Sequence, residues 1–191
     1  MDVFAHALWA GAGVMLARHR WPVSNRTAAW TVALAVVPDV PHLLPIAGWW
    51  LFGSGTWAAV KGFAIAVPGQ QPAVPQWLLS LSEHLHCIPH SAIIAAVVSL
   101  LLWRWRRSLW LPLLGWWSHI VIDVFTHSAD YYASPVLYPF TERGFDGIAW
   151  ITPWFMTLNY LALTTAGLAL LADARRRRRI ATGAVPAAPT S

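Results

Sequence analysis

Apolar stretches of helix length alternate with short polar segments along the chain, and this pattern predicts an all-α fold. Asp2 precedes the first stretch and Ser24 or Asn25 precedes the second, each a residue type that caps helix N-termini. Thr152 followed by Pro153 marks the start of the fifth stretch in the same way. The predicted helices cover about residues 3–17, 24–37, 89–105, 109–125 and 153–173.

The composition predicts that these helices lie in a membrane. Hydrophobic residues make up 57% of the chain and charged residues 11%, whereas soluble domains average about 45–50% and about 25%. The 14 tryptophans suit an interface between lipid and water. We therefore expect a polytopic membrane helical bundle with about five transmembrane or membrane-embedded helices, of which only the fifth has the roughly 20 residues that a full crossing needs.

The basic residues fall mainly in alternate connections, which predicts an orientation. Eleven of the 13 lie between the first and second helices, between the third and fourth, and after the fifth. The positive-inside rule assigns these connections to the cytoplasm, so the N-terminus is expected outside and the C-terminus inside. Because five of the positive charges form one run, Arg175–Arg179, beside a hydrophobic segment, contact with membrane lipid is expected and nucleic-acid binding is not.

These expectations divide the chain into two parts. A membrane-embedded helical domain is expected over residues 1–174, with outer loops at 47–80 and 127–147. Residues 175–191 are expected to form a basic anchor and a disordered tail, because small and polar residues follow the arginine run.

Histidine and aspartate residues are concentrated at the outer ends of the predicted helices. In the predicted orientation, clusters that are far apart in sequence reach the same depth on the same face. Imidazole and carboxylate are ligands of zinc and neighbouring transition metals, and ionisable groups inside membranes usually mark function. The candidate metal ligands are His6, Asp39, His42, His84, His86, His90, His119 and Asp123.

His119 and Asp123 form the most informative pair, because residues four apart on a helix point the same way. They could share one metal ion, or Asp123 could hold the second imidazole nitrogen; a helix-packing hydrogen bond is the alternative. An aspartate near hydrocarbon costs about 2.5–3.5 kcal/mol unless it is paired, which favours a cation beside Asp123. His127 repeats the spacing if the helix persists, and we consider it a candidate catalytic residue.

Two further positions are weaker when taken singly. Prolines keep the stretch around Asp39 and His42 out of regular helix, which suits either a rigid pair of ligands or a simple interfacial turn. His6 stands alone on an apolar helix, where a hydrogen-bonded packing residue is the alternative to a ligand.

The segment before the third helix leaves more alternatives open. His84, His86 and His90 are each weak candidates when taken singly, because histidines are ordinary residues at a membrane interface. Glu83 could act as a general base near the site, and we consider it a candidate catalytic residue. Alternatively, Ser80 and Glu83 could form a capping box for a turn that precedes the helix.

The order of these motifs resembles that of a family of small inner-membrane metal-dependent hydrolases, also described as LexA-binding, inner membrane-associated hydrolases. The likeness covers roughly residues 1–145 and is most specific over 38–42 and 115–123. The chain departs from the family at Pro41, where a second acid is typical. It also departs in a His-Arg-Gly-x-Thr-His-Ser type segment, of which only His90-Ser91 matches cleanly. Leu85 stands where the family has the first histidine of that segment, so the resemblance leaves His84 or His86 as the substitute ligand. The resemblance implies an inner-membrane hydrolase. The His119-x-x-x-Asp123 element is also similar to that of zinc-dependent phospholipases C, which cut phosphoesters.

We therefore expect a membrane-bound metal-dependent hydrolase that binds one or two divalent ions, zinc first among them, at the outer face. A metal-activated water would attack an ester or phosphoester of a lipid or another membrane-associated small molecule. Two alternatives stay open: a non-catalytic metal-binding protein such as a carrier or sensor, and a scaffold whose histidines only pack. A carrier would need polar groups across the whole bilayer, and the inner halves of the helices offer almost none.

Overall fold

The computed structural model describes residues 1–181, and over that range the chain is all-helical with no strand, so the predicted all-α fold is confirmed. Single-turn 3₁₀ helices at Val37–Asp39, Pro41–Leu43 and Arg107–Leu109 connect longer helices. The α-helices of this range are α1 (Val3–Ala17), α2 (Asn25–Val36), α3 (Leu44–Phe52), α4 (Trp57–Ile65), α5 (Gln76–His90), α6 (Ala92–Trp105), α7 (Trp110–Thr126) and α8 (Pro153–Ala181).

Side-chain caps fix the starts of the first two helices where the sequence predicts them. The Asp2 side chain accepts a hydrogen bond from the backbone N–H of Ala5, and the Ser24 hydroxyl accepts one from Thr27, each over 3.0 Å. These bonds satisfy backbone donors that have no partner inside the helix. The start of α8 at Pro153 also agrees with the prediction.

The predicted third helix begins in the wrong place. Pro89 lies inside α5, which starts at Gln76, so Ser80 and Glu83 are interior residues of that helix rather than a capping box. The chain bends at Ser91, whose backbone is extended and whose hydroxyl caps α6. Proline cannot donate a backbone hydrogen bond, and here α5 ends one residue after it.

The expected loop at 47–80 contains helical structure that the sequence prediction missed. Pro45 lies in the first turn of α3, and the Thr56 hydroxyl caps α4 by accepting from Ala59. The segment 127–147 contains no helix, as expected. At the other end, α8 passes Asp173 and carries the arginine run to Ala181, and the expected disordered tail beyond it lies outside the described residues.

Helix length and composition are consistent with a membrane location. Two helical segments of the described chain, Arg107–Thr126 and Pro153–Ile180, are long and apolar enough to cross a membrane. Two pairs of helices, α2 with α3 and α5 with α6, are also long and apolar enough when each pair is counted as one span. The helices of these pairs are bent relative to each other by 44° and 57°. The described chain therefore has two to four candidate spans, and α1 is apolar but shorter. The expected total of about five stays a prediction.

The centre of the fold is the packing of α2 against α7, with α1 beside both. Gly115 of α7 makes this packing possible, because a Cβ atom there would lie only 2.1 Å from the Thr31 carbonyl oxygen of α2. Ala5, Ala35 and Ile120 are fully or almost fully buried in the same region. The backbones of α2 and α7 therefore approach each other closely at Gly115.

Candidate metal centre

Four acidic and imidazole side chains meet in the core. Asp39 comes from the 3₁₀ turn after α2, His90 is the last residue of α5, and His119 and Asp123 lie one turn apart on α7. One candidate ligand atom from each lies within 4.8 Å of all the others. This group could therefore hold a metal ion.

The distances between the ligand atoms suit one small ion. His119 Nε2 lies 3.0 Å from His90 Nε2 and 3.1 Å from Asp123 Oδ2, and His90 Nε2 lies 3.4 Å from that oxygen. Asp39 Oδ1 lies 3.5 and 3.6 Å from the two imidazole nitrogens. Tetrahedral zinc with bonds of about 2.0–2.1 Å separates its ligand atoms by about 3.3 Å.

Main-chain carbonyls orient both imidazoles toward the centre. His119 Nδ1 donates to the Ala35 carbonyl over 2.9 Å, and His90 Nδ1 donates to the His86 carbonyl over 2.7 Å. When both rings are neutral, each Nε2 atom is therefore the unprotonated nitrogen, and the two Nε2 atoms lie 3.0 Å apart. A shared cation makes this arrangement favourable, and imidazole ligands of metals are commonly held through their other nitrogen in this way.

Breaks in two helices bring residues from distant parts of the sequence to the centre. The 44° bend between α2 and α3 places Asp39, and the 57° bend at Ser91 places His90. Ser91 is fully buried, and its hydroxyl donates to the Tyr138 carbonyl over 2.6 Å while it caps α6. The bends therefore turn a carboxylate and an imidazole into the core instead of continuing an apolar helix face.

A second set of polar groups surrounds the other oxygen of Asp123. His6 Nε2 lies 2.9 Å from Asp123 Oδ1, and the amino group of Met1 donates a hydrogen bond to the same oxygen. His127 Nε2 lies 3.7 Å from this oxygen and 3.1 Å from the Met1 nitrogen. His127 Nδ1 contacts the Tyr132 carbonyl oxygen over 2.7 Å, which repeats the pattern of His90 and His119.

His127 reaches Asp123 although the predicted helical spacing does not continue to it. α7 ends at Thr126, and the backbone of His127 is extended. Gly147 donates from its N–H to the His127 carbonyl over 2.9 Å, at a point where a Cβ atom would lie 2.5 Å from the Phe125 carbonyl oxygen. Burial lowers the pKa of the His127 imidazole to about 4, so the ring is neutral at pH 7.

The rings of two other predicted ligands, His86 and His42, pack beside His90. The ring centre of His86 lies 4.1 Å from that of His90, and the ring of His42 meets His86 edge-on at 5.6 Å. His42 Nδ1 is buried without a hydrogen-bond partner. The structure thus places both rings next to the group of four but not within it.

His84 and Glu83 lie apart from the centre. Both are exposed on α5, and His84 Nδ1 lies 3.2 Å from the Tyr138 hydroxyl. The choice that the sequence left open between His84 and His86 therefore favours His86 as the nearer imidazole. Glu83 has no contact with the four side chains among the described hydrogen bonds and ion pairs.

Comparison of the chain with family models, curated proteins and solved structures gave no match. Evidence for a function therefore comes from the residues of the site itself. Several of its important groups carry no sequence signal, because they are main-chain atoms: the carbonyls of Ala35, His86 and Tyr132, and the amino group of Met1.

Proposed function

We propose that this chain is a membrane-bound metal-dependent hydrolase whose ion is held by Asp39, His90, His119 and Asp123. The observation that carries the proposal is the pair of imidazole Nε2 atoms 3.0 Å apart, each turned inward by a carbonyl on its other nitrogen. Two carboxylates next to this pair complete the nitrogen and oxygen ligand set of zinc, which is the ion we propose first.

The side chains around the ion have separable roles. A zinc ion that binds water in addition to these four side chains would supply a Lewis acid and lower the pKa of that water to about 7. Asp39 is the least buried of the four, with 19% of its side chain exposed, so a substrate would approach from its side. His6 Nε2 lies 2.9 Å from Asp123 Oδ1 and supports that carboxylate in position.

The location of the centre suggests the class of substrate. We assign the protein to the inner membrane, with the N-terminus outside and the C-terminus in the cytoplasm, and regard it as a relative of the small inner-membrane metal-dependent hydrolases. The distribution of arginines supports this orientation. A centre near the outer end of α7 would then lie at the level of lipid headgroups, which favours an ester or phosphoester of a lipid or another membrane-associated molecule.

Metal content and hydrolysis, measured on the same purified protein, test this function. We expect the protein in detergent to retain divalent metal and to hydrolyse bis-p-nitrophenyl phosphate or p-nitrophenyl acetate in a metal-dependent manner. The variant His119→Ala should lose both properties. The matched control His84→Ala removes an exposed imidazole outside the centre and should keep both.

The outcomes separate this function from its alternatives. Equal hydrolysis by the wild type and His119→Ala would reject the assignment. Bound metal without hydrolysis of either compound, or of phospholipid in mixed micelles, would favour a non-catalytic metal-binding protein. Absence of stoichiometric zinc, manganese or iron after growth in supplemented medium would favour a scaffold in which the histidines only pack.

A further inference from the structure

The two oxygens of Asp123 face different groups of ligand atoms. Oδ2 lies 3.1 and 3.4 Å from His119 Nε2 and His90 Nε2, within the proposed metal site. Oδ1 points away from that site and lies 2.9 Å from His6 Nε2 and 3.7 Å from His127 Nε2. A carboxylate with nitrogen ligands on both sides has the arrangement of a bridge between two cations.

Several nitrogen atoms surround Asp123 Oδ1 in this structure. The Met1 nitrogen bonds to Asp123 Oδ1 and lies 3.1 Å from His127 Nε2. His127 presents a lone pair to this position, because its Nδ1 donates to the Tyr132 carbonyl. The surrounding side chains are buried, with His6 at 1% and His127 at 8% exposure. A buried position lined by oxygen and nitrogen lone pairs selects a cation.

We propose that a second divalent cation binds at this position, held by Asp123 Oδ1, His127 Nε2 and His6 Nε2. The ion would occupy the position beside Asp123 Oδ1 where the Met1 nitrogen lies, and Asp123 would bridge it to the ion bound by Asp39, His90 and His119. This inference rests on the proposed function and narrows it. It turns a single-ion centre into a paired one and gives His6 and His127 the role of ligands.

A paired centre favours a phosphoester over a carboxylic ester as the substrate. Two ions about 3.5–4 Å apart stabilise the attacking and leaving oxygens of an in-line displacement at phosphorus. In that reaction the water oxygen bonds to phosphorus and the bond from phosphorus to the alcohol oxygen breaks. One water proton passes to the departing alkoxide, and the second is released to solvent or to a neighbouring base.

Manganese binding to the full chain in detergent tests the second site. After removal of metal, we expect the wild type to bind two Mn²⁺ ions per chain and to show the electron paramagnetic resonance signal of an exchange-coupled pair. His127→Ala should bind one ion with an uncoupled signal. The control His84→Ala should behave as the wild type. Hydrolysis of bis-p-nitrophenyl phosphate should rise at least about 10-fold between the first and second equivalents of Mn²⁺.

The result in the wild type distinguishes failure of this inference from failure of the function. One bound ion in both the wild type and His127→Ala would overturn the second site and leave the single-ion hydrolase intact. No bound ion in the wild type would overturn both. His127→Gln, which preserves side-chain volume better, provides a second variant if His127→Ala does not fold. Two coupled ions in His127→Gln would also contradict the proposal.

Discussion

α7 and α8 are both candidate membrane spans, but they have very different surroundings. The segments that contain them, Arg107–Thr126 and Pro153–Ile180, are both long and apolar enough to cross a membrane. Of the most apolar 18-residue window in each segment, 44% is buried in Arg107–Thr126 but only 11% in Pro153–Ile180. Each helix also carries one aspartate within 4 Å of a histidine, Asp123 on α7 and Asp173 on α8.

The difference shows that hydropathy identifies the length of a span but not its role. α7 is enclosed by α1, α2 and α6, and its polar residues face inward. α8 packs chiefly along α1, to which it is joined by hydrogen bonds from Trp9 to Asn159 and from Tyr160 to Asp2. A helix that is surrounded can hold a buried charge in fixed geometry, whereas a helix on the outside mainly meets lipid.

The two aspartates offer the largest contrast. Asp123→Asn removes the negative charge that the nearby imidazoles surround. We expect metal affinity to fall by at least about 100-fold, because removing a residue that only supports a metal ligand already costs up to about 100-fold. Asp173→Asn removes an exposed ion pair with Arg177 and a contact with His19, and metal affinity should not change. Isothermal titration with zinc would measure both. Equal loss in the two variants would show that the effect is not specific to the centre.

Glycine substitutions test the packing difference next. Gly115→Ala places a methyl group against the Thr31 carbonyl, so α2 and α7 must separate, and we expect a loss of about 1–3 kcal/mol in stability. Gly167→Ala on α8 meets nothing within 4 Å and should stabilise the helix by roughly 0.5–1 kcal/mol. Thermal unfolding in detergent would detect the opposite signs. A stabilising effect at residue 115 would contradict the described packing.

A pair of tryptophans gives the smallest expected effect. Trp116 Nε1 donates to the Pro89 carbonyl over 2.7 Å, next to the candidate ligand His90. Trp116→Phe should cost about 1 kcal/mol and weaken metal binding by roughly 10-fold, because it loosens the end of α5. Trp154 on α8 is 55% exposed, and Trp154→Phe should leave both quantities unchanged. Unfolding and zinc titration of the two variants would separate these expectations.

Local chemistry explains which parts of the fold were predictable. Asp2, Ser24 and Pro153 act through hydrogen bonds and backbone angles within a few residues, so the helix starts that they mark agree with the structure. The start of α5 at Gln76 was missed because its N-cap position is Pro75, which makes no side-chain hydrogen bond. α3 and α4 were missed because Gly, Pro and Trp residues in that segment suggested a loop, although Thr56 is an ordinary cap.

The candidate site was predictable only in part for a related reason. The spacing of His119 and Asp123 places them together on any helix, and the structure has them 3.1 Å apart. Asp39 and His90 lie beside them because of two bends between helices, and no residue pattern specifies the angles of these bends. The same bends decide that His86 packs beside His90 and not in the group of four.

The hydrogen bonds from His90 and His119 to main-chain carbonyls have a consequence for how this centre can change over time. A point mutation replaces a side chain but leaves the carbonyls of His86 and Ala35 in place. The path of the backbone therefore fixes the tautomer of each imidazole. The tautomer of both rings therefore does not depend on which side chain a neighbouring residue carries.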